Sequence, residues 1–424
     1  MLNKLGNKKS KAAAFIAVAV GATSFIGLMP AKAADPVVLD FWSRAAQVDF
    51  IKSVGDEFNK INPNIQVKVT TIPDAEFVQK LSTASVSGSA PDITSVDLIL
   101  VPYFAKNGVF DDLTSYTKGL SFKKELSPAH MALGKYGNKQ FALPFTAEAS
   151  VLFWNKDLFK KAGLNPEVAP KTWADIEKAA KAITALGGDT KGYYFSGACG
   201  GCNIFTFAPM MWASGGSVLT DKGRPTFTNS QVGKALAFYN NLWEKGYIPK
   251  SAKTDNGASF AAPFASGKVG MVGAGAFFIS GLRDNNPEIN YGVAPLPGEK
   301  AGQSGSFAGG DNIAILKGTK HPKESRVFMD WALNAGQKFI AKKAVVPIRS
   351  DIANSDYVPQ DPRFKVIADM MKIGKTPYSV AYTPLIADGQ GPWVKVLGSI
   401  FDGKIKEAQR AAQKQALEIV KKQG

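Results

Sequence analysis

Cysteine and histidine are scarce in this chain of 424 residues, which contains only two of each. The sequence has neither a G-x-S-x-G nor an H-E-x-x-H motif, so it predicts no serine-hydrolase elbow and no zinc hydrolase of that type. A structural zinc site needs about four ligands, and His130 and His321 lie far from the cysteines along the chain. We therefore expect no catalytic residue, no metal and no cofactor.

Long apolar runs are also lacking, except at the start of the chain. Residues 1–11 carry four lysines and no acid, residues 12–29 are apolar and small, and Ala31-Lys32-Ala33 forms an A-x-A cleavage signal. This order is typical of a secretory signal peptide over residues 1–33, with an uncleaved anchor helix as the alternative. We expect cleavage near Ala33 and export to the periplasm or the cell exterior as a soluble protein. No cysteine follows the cleavage signal, so no lipid anchor is predicted.

Acidic residues are outnumbered by basic ones, 35 to 51, which gives a formal net charge of +16. Removing the five lysines of the expected signal peptide leaves +11 for the exported chain. The positive residues are spread as lysine pairs along helical patterns, as at Lys160-Lys161 and Lys421-Lys422. Because no Arg-rich run or aromatic-basic interleaving accompanies them, this pattern favours solvated surfaces and no nucleic-acid partner.

Hydrophobic periodicity predicts an α/β fold for the first part of the exported chain. Residues 36–42 and 65–72 alternate as strands, residues 50–62 have helical spacing, and residues 92–96 begin a third strand after a second helix. This alternation is typical of a doubly wound, mainly parallel sheet, in which ligands meet the carboxyl ends of the strands. A chain of about 390 residues is too long for one core, so we expect two lobes.

The stretch Lys139–Leu164 is interpreted as a crossing between these two lobes. It contains an apolar strand (Phe141–Phe145), a short polar link (Thr146-Ala147-Glu148), a second strand (Ser150–Trp154) and the start of a helix. A carboxylate at such a crossing would lie in the cleft between the lobes, where ligands usually bind.

The second lobe is predicted to begin after this crossing. Thr172 has the position of a helix cap, with Asp175 as the acidic third residue of the helix. A link rich in Gly, Pro and Ser at residues 296–307 is expected to carry the chain back, into a strand at residues 312–316. From residue 362 onwards the pattern is mainly helical.

A series of short motifs follows in one order along the exported chain: Ala90-Pro91-Asp92-Ile93, Asn155-Lys156-Asp157, Lys171-Thr172-Trp173, Phe264-Ala265-Ser266-Gly267-Lys268, Tyr291-Gly292-Val293-Ala294-Pro295-Leu296-Pro297, Gly309-Gly310 and Pro347-x-Arg349. Together they resemble the extracytoplasmic solute-binding proteins of ABC importers, in the sugar-binding family that includes maltose-binding protein. The resemblance covers essentially the whole exported chain. It agrees with the two lobes and the cleft that the hydrophobic pattern predicts.

The resemblance implies a two-lobed periplasmic-binding-protein fold of type II, with crossing strands and closure over a ligand by hinge motion. We place the N-terminal lobe at residues 34–146 with 308–350, and the C-terminal lobe at residues 147–307 with 351–424. The implied function is capture of a mono- or oligosaccharide in the cleft, for delivery to the membrane permease subunits of an ABC importer. A monomer without enzymatic activity is expected.

Sugar recognition needs aromatic faces that stack on pyranose rings, beside planar polar groups that bridge neighbouring hydroxyls. Glu148 lies in a T-A-E-A stretch that matches the family motif whose acid binds sugar. Trp393 matches the family's C-terminal stacking aromatic, and Phe277 stands where another stacking aromatic occurs. The alternative for both aromatics is core packing, and for Glu148 it is a solvated or salt-bridged position.

Strand ends and loops supply the remaining candidates for ligand contacts. The segment Gly309-Gly310-Asp311 is interpreted as a backbone turn where Gly310 approaches the ligand and Asp311 accepts from a hydroxyl. The other positions follow the first strand, follow the third strand or precede Trp393; they are Trp42, Arg44, Asp97 and Gln390.

The cysteines form a C-x-x-C sequence, Cys199-Gly200-Gly201-Cys202. No thioredoxin-like βαβ pattern surrounds it, so a redox-catalytic site is not favoured. In an exported protein we expect Cys199 and Cys202 to form a local disulfide, whose small ring contributes at most ~2 kcal/mol through loop entropy. This ring is expected to rigidify a loop beside the ligand pocket and to place Asn203 near the ligand.

Other functions stay open from the sequence. Cleft carboxylates such as Asp97 and Glu148 could serve a secreted glycosidase or lyase. The same fold could instead bind a phosphorylated polyol or other anion, a polyamine or a ferric ion. A ferric site would want paired tyrosines, for which Tyr378 and Tyr382 have the only suggestive spacing.

Overall fold

The fold of residues 35–45 and 48–423 is described by a computed structural model. The signal peptide expected over residues 1–33, with its cleavage near Ala33, lies outside these described residues. No helix within the two described ranges combines the length and the apolar character that a membrane span requires.

Strands form one large sheet and two small ones. In the described residues the strands are β1 (Val37–Arg44), β2 (Ile65–Ile72), β3 (Ile93–Asp97), β4 (Lys135–Tyr136), β5 (Lys139–Gln140), β6 (Leu143–Asn155), β7 (Lys191–Tyr194), β8 (Val269–Gly275), β9 (Tyr291–Ala294), β10 (Leu296–Pro297), β11 (Ser304–Gly305) and β12 (Ala308–Ile315). The large sheet has the order β2-β1-β3-β12-β6-β8-β7, and β9 also pairs with β6. The small sheets are β4-β5 and β10-β11.

Helices connect and cover these strands. In the same described ranges they are α1 (Val48–Ile61), α2 (Asp74–Ser87), α3 (Val101–Lys106), α4 (Thr114–Lys118), α5 (Pro128–Leu133), α6 (Lys156–Lys161), α7 (Trp173–Thr184), α8 (Gly200–Thr206), α9 (Ala208–Ala213), α10 (Ser230–Glu244), α11 (Ala262–Ala265), α12 (Phe277–Asn285), α13 (Pro322–Leu333), α14 (Ala335–Lys342), α15 (Ser350–Ile352), α16 (Pro362–Ile373), α17 (Pro392–Gly398) and α18 (Ile405–Gln423). The capping expected before α7 is confirmed, because Thr172 Oγ1 accepts from the Asp175 N–H at 3.1 Å. The Asp175 carboxylate in turn accepts from the Lys171 N–H at 3.0 Å.

The large sheet is mixed rather than mainly parallel. β1 runs parallel to β2 and β3, and β7 runs parallel to β8, as the strand and helix alternation predicts. β12 runs antiparallel to β3 and β6, and β6 runs antiparallel to β8 and β9. The central strands β6 and β12 take part in all of these antiparallel pairs, so they account for the departure from the expected, mainly parallel sheet.

The crossing stretch is one strand of 13 residues, β6, rather than two strands with a link. Its first half pairs with β12, from Leu143 opposite Ile313 to Ala149 opposite Ala308. Its second half pairs with β8 and β9. The expected polar link at residues 146–148 is wrong because the backbone there is paired with β12, which satisfies the amide groups that a loop would expose.

The return of the chain occurs in β12, which begins four residues before the expected strand. The link expected at residues 296–307 contains the hairpin β10-β11. The segment Gly309-Gly310-Asp311, expected as a turn, lies within β12 opposite residues 146–148 of β6. The register shifts between Asp311 and Asn312, so the strand is irregular at this point.

Two apolar clusters hold helices on the large sheet. The larger cluster includes buried residues from both ends of the sheet, such as Val67 on β2 and Tyr193 on β7. The smaller cluster, with Phe77 and Phe104, packs against the end that carries β1 and β3. Because the larger cluster extends along the whole sheet, the chain from residue 36 onwards packs as one compact unit.

Candidate ligand-binding site

A cavity of about 690 Å³ opens beside β6, where β1 and β3 end. Small-ligand sites commonly have volumes of about 300–1,000 Å³. Residues from both halves of the large sheet line the cavity, including Arg44, Phe50, Asp97, Glu148, Phe205, Phe277, Phe307, Gly310, Lys343, Ala344 and Tyr382. Of the ten ligand contacts expected from the sequence, the cavity brings together Arg44, Asp97, Glu148, Phe277 and Gly310.

Arg44 and Asp97 lie side by side because β1 and β3 are adjacent parallel strands that end at the same edge of the sheet. The Arg44 guanidinium lies 3.2 Å from the Asp97 carboxylate and 2.5 Å from the Asp311 carboxylate. Asp311 stands opposite Asp97 on β12 and also accepts a 2.7 Å hydrogen bond from Ser95 Oγ. We refer to Arg44, Ser95, Asp97 and Asp311 as the charged cluster, whose members are already engaged with one another.

Asp311 lies behind the cavity and does not line it. Its side chain is fully buried, and both carboxylate oxygens have partners in the charged cluster. The expected contact between Asp311 and a ligand hydroxyl is therefore replaced by an anchoring role. Asp311 holds the guanidinium of Arg44 at the cavity edge.

Gly310 is a position where the backbone allows no side chain. Its φ is 114°, which residues with a Cβ rarely adopt. A Cβ at Gly310 would lie 2.2 Å from the carbonyl oxygen of Thr146 on β6. The close approach expected at this glycine is thus made to the neighbouring strand, while Gly310 also lines the cavity.

Glu148 lies on β6 with its carboxylate at the start of α12. Oε1 accepts from the N–H of Ala149 at 2.9 Å and from the N–H of Ala276, and Oε2 accepts from the N–H of Phe277 at 3.2 Å. Burial raises the pKa of Glu148 to about 7, although these three N–H groups favour the charged form. A carboxyl that changes its charge near neutral pH can accept from a ligand hydroxyl or donate to one.

Aromatic rings line the cavity next to Glu148. Phe277, the first residue of α12, is 51% exposed. The ring of Phe205 on α8 lies 6.4 Å from that of Phe277, roughly parallel to it, and 5.4 Å from the edge-on ring of Phe307. We refer to Phe205, Phe277 and Phe307 as the aromatic wall. An exposed ring with such support offers the apolar face on which a pyranose ring can stack.

Several cavity residues were not predicted from the sequence. Phe205 follows the predicted residue Asn203 by two positions on α8. Because successive residues of a helix point about 100° apart, the side chains of Asn203 and Phe205 have different directions. Asn203 therefore turns into the core while Ile204 and Phe205 face the cavity. Ala344 has a φ of 58° just after α14. Glycine is the usual residue at such a helix end, so an alanine there gave no sequence signal for the turn.

Trp42 and Trp393 pack with the apolar clusters of this structure. Trp42 packs against the smaller apolar cluster. Trp393 is fully buried, donates from Nε1 to the carbonyl oxygen of Gly200 at 2.9 Å and lies parallel to Phe207 at 6.1 Å. Neither residue lines the cavity. The alternative of core packing applies to Trp393, while Trp42 is half-buried at the edge of the smaller cluster.

Asn203 and Gln390 also lie outside the cavity. Asn203 is fully buried, and its Nδ2 donates to the carbonyl oxygens of Ser196 at 2.7 Å and Cys199 at 2.8 Å. Gln390 is exposed in the turn before α17, where its carbonyl oxygen accepts from Gln415. Asn203 thus fixes the loop before α8, and Gln390 contacts α18.

Cys199 and Cys202 are joined by a disulfide, as expected. The ring encloses the start of α8, with Cys199 as the residue that caps the helix. Gly201, Ile204 and Phe205 of this helix line the cavity. The disulfide therefore borders the cavity through α8, although Asn203 does not reach it.

Metal ligands are not gathered in the described ranges. Within residues 35–45 and 48–423, no group of three or more His, Cys, Asp or Glu side chains could hold a metal ion. Tyr382 lines the cavity, whereas Tyr378 lines a different depression. The tyrosine pair that a ferric site would want is therefore not brought together here.

Comparison with known sequences identifies a family and several relatives. The profile of the family described as bacterial extracellular solute-binding protein matches residues 44–339. The maltodextrin-binding protein of Bacillus subtilis is 23% identical, over 97% of this chain and 95% of its own length. The multiple sugar-binding protein of Streptococcus mutans is 25% identical, over 71% of this chain and 72% of its own length.

Solved structures show the same architecture. The sugar-binding protein MalE of Xanthomonas citri aligns with a TM-score of 0.79 at 22% identity, covering 91% of this chain and 98% of that one. A solute-binding protein of Thermotoga lettingae, bound to α-D-tagatose, aligns with a TM-score of 0.77 at 24% identity, covering 91% and 100%. The expected two-lobed α/β fold is thereby confirmed.

Proposed function

Because the chain belongs to the family of bacterial extracellular solute-binding proteins, we propose that it binds a mono- or oligosaccharide in the cavity beside β6. It would deliver this sugar to the permease subunits of an ABC importer, acting as an exported monomer and not as an enzyme. The observation that carries the proposal is the pairing of the exposed Phe277 ring of the aromatic wall with the Glu148 carboxyl in one cavity. The names of relatives that bind maltodextrin and multiple sugars support it.

Two neighbouring groups of the cavity suit different parts of a sugar. Phe277 would stack on the apolar face of a pyranose ring, and Glu148 would hydrogen-bond a hydroxyl at the ring edge. Lys343 and Tyr382 follow both β6 and β12 in the chain. They add a positive charge and a hydroxyl to the cavity lining. Such a mixture of few polar groups with aromatic rings is typical of small-ligand sites.

Closure is part of this proposal. The N-terminal lobe, residues 34–146 with 308–350, would move against the C-terminal lobe, residues 147–307 with 351–424. Glu148 lies almost at the proposed boundary on β6. Closing the lobes would remove water from the Glu148 carboxyl and the Phe277 ring together, which strengthens both contacts with a ligand.

The experiment that tests the proposal is a thermal-shift screen of the exported protein with saccharides. The panel contains glucose, maltotriose, mannotriose and an arabino-oligosaccharide, each at millimolar concentration. Glycerol phosphate is included to test the alternative that the protein binds an anion. A micromolar binder at about a thousandfold excess stabilises the folded state by about 4 kcal/mol. We expect at least one saccharide to raise the melting temperature and to be recovered intact after prolonged incubation.

Two outcomes would contradict this assignment. A shift with glycerol phosphate and with no saccharide would indicate an anion-binding protein of the same fold. Cleavage of the bound saccharide would indicate a glycosidase that uses the cavity carboxylates. The intact-ligand measurement, made by mass spectrometry, separates the second outcome from simple binding.

A further inference from the structure

We propose that the Cys199–Cys202 disulfide is a redox-sensitive control of the cavity, so that its reduction by a dithiol weakens ligand binding. The proposal takes its ligand from the proposed function. Its physical basis is the position of the two sulfur atoms between two segments that both end at the aromatic wall. Cys199 and Cys202 are the two cysteines of the sequence, so a reductant has no other disulfide to act on.

The first segment is α8, whose first turn the disulfide closes. Cys199 Sγ accepts from the N–H of Cys202 at 3.0 Å, and the Cys199 carbonyl oxygen accepts from the N–H of Asn203 at 3.1 Å. Phe205 follows on the same helix and places its ring beside Phe277. Because α8 has seven residues and a turn takes about 3.6, loosening its first turn affects half of the helix.

The second segment runs from Gly257 to Phe260 and rests on the sulfur atoms. A Cβ on Gly257 would lie 2.9 Å from Cys202 Sγ and 3.0 Å from Cys199 Sγ, so only a glycine fits against the bond. Phe260 has a φ of 36°, and its ring lies 6.0 Å from the ring of Phe277. A non-glycine residue keeps a positive φ only where its surroundings hold it there. The disulfide fixes this segment at Gly257, three residues before Phe260.

Reduction would proceed by thiol–disulfide exchange. One thiolate of the dithiol attacks one sulfur atom of the Cys199–Cys202 bond, which breaks and releases the other cysteine as a thiolate, and a mixed disulfide forms. The second thiolate of the reductant then attacks the reductant's own sulfur in this mixed disulfide, which closes a cyclic disulfide and releases the remaining cysteine as a thiolate. The protein gains two electrons and two protons as two thiols, and the dithiol is oxidised. Two thiols need more room than a bonded pair because non-bonded sulfur atoms repel at bonding distance. The α8 turn and the Gly257 backbone must then move apart.

The effect of reduction should be local. A ring that spans so few residues contributes at most ~2 kcal/mol to the free energy of unfolding. Both cysteines are partly exposed, so a dithiol in solution can reach the sulfur atoms without unfolding the protein. A disulfide with a small effect on global stability, which lies on α8 of the cavity lining and against the segment that leads to Phe260, acts on the cavity more than on the fold.

Hydrogen exchange read by mass spectrometry tests the first step. The full exported protein is compared without ligand in its oxidised form, after dithiothreitol treatment, and as the double variant Cys199→Ser/Cys202→Ser. Exchange should increase in peptides that cover α8 and residues 257–260 after reduction and in the double variant. It should stay unchanged in α18, which serves as the internal control.

Affinity tests the second step. The dissociation constant of the tightest-binding saccharide of the panel should rise about five- to tenfold on reduction and in the double variant. Dithiothreitol should have no further effect on the double variant, which excludes an action elsewhere. Unchanged exchange in both segments, or an unchanged dissociation constant, would overturn the proposal. If the oxidised protein binds no saccharide, the proposed function fails, and the exchange result alone decides whether the disulfide controls the wall.

Discussion

The charged cluster reaches the cavity through Arg44 and Asp97 and the aromatic wall lines it, but the two regions differ in how far their groups are already engaged. Arg44, Asp97 and Asp311 bind one another, and Asp311 has no exposed surface. Phe277 leaves half of its surface open. A group that is fully engaged mainly stabilises the fold, whereas an exposed aromatic ring keeps its apolar surface for a ligand.

This contrast shows why polar residues at strand ends are an ambiguous sign of a binding site. Strand ends bring Arg44 and Asp97 together, as the topology predicts. The same topology brings Asp311 against them from β12, and the opposite charges then bind each other. Glu148 lies between the two regions, since its carboxyl meets backbone N–H groups and not a cation.

The largest expected effect comes from breaking the charged cluster at Asp311. Asp311→Ala leaves the Arg44 guanidinium with one carboxylate fewer and Ser95 Oγ without its acceptor. We expect the free energy of unfolding to fall by about 3 kcal/mol, since removing one partner of a buried ion pair is strongly destabilising. Urea unfolding followed by circular dichroism measures this change.

Asp221→Ala is the matched control for that substitution. Asp221 is an exposed acid that does not line the cavity, so its replacement should change the free energy of unfolding by less than about 0.5 kcal/mol. Equal losses in the two variants would mean that the charged cluster has no special part in stability. The comparison with the aromatic wall would then no longer hold.

A second prediction concerns the pH dependence of stability through Glu148. Its pKa is raised from 4.5 to about 7 in the folded protein. The folded state therefore keeps a proton that the unfolded state releases, and the free energy of unfolding falls as the pH rises through this window. Glu148→Gln cannot titrate, so it should reduce this fall by about 2 kcal/mol.

Unfolding by urea at several pH values between these two pKa values measures the effect. Glu407→Gln changes the same charge at an exposed position of α18 and should leave the pH dependence as in the parent protein. If Glu148→Gln kept the parent slope as well, Glu148 would titrate as a solvated acid. It would then resemble neither the charged cluster nor a buried cavity group.

The smallest effect on folding is expected for the aromatic wall. Phe277→Ala removes a half-exposed ring, so the melting temperature should change little while saccharide affinity falls about tenfold, or about 1.4 kcal/mol. Phe277→Tyr keeps the ring and should keep most of the affinity. Isothermal titration with the best saccharide compares the three proteins. Equal affinity of the alanine and tyrosine variants would remove Phe277 from the site.

Much of the fold could be predicted because local patterns determine it. The alternation in residues 65–72 matches β2, and the Thr172 cap begins α7 as expected. The continuity of β6 could not be predicted, since a polar triplet such as Thr146-Ala147-Glu148 has the composition of a link. The partners of its backbone, β12 and Val346, follow far along the chain.

Some residues of the candidate site could be predicted because the chemistry of their residue type determines their role. Others could not be predicted because their direction depends on tertiary packing. Gly310 and the disulfide follow from the chemistry of glycine and of cysteine in an exported protein. The direction of a large aromatic does not follow from its type, because Trp393 fills the core while Phe277 faces the cavity. Both rings have apolar neighbours in sequence, so only the arrangement of the helices in space separates them.

The place of β12 in the sheet also has a consequence for the order in which the chain can acquire its structure. β12 lies between β3 and β6, although 210 residues of the chain separate it from β3 and 152 separate it from β6. β3 and β6 do not pair with each other, so the middle of the sheet stays open until residues 308–315 have been synthesised and inserted. Closing such long loops is slow. The sheet can therefore be completed only after residue 315 has been made, and a shorter nascent chain leaves β3 and β6 without the neighbour that they share.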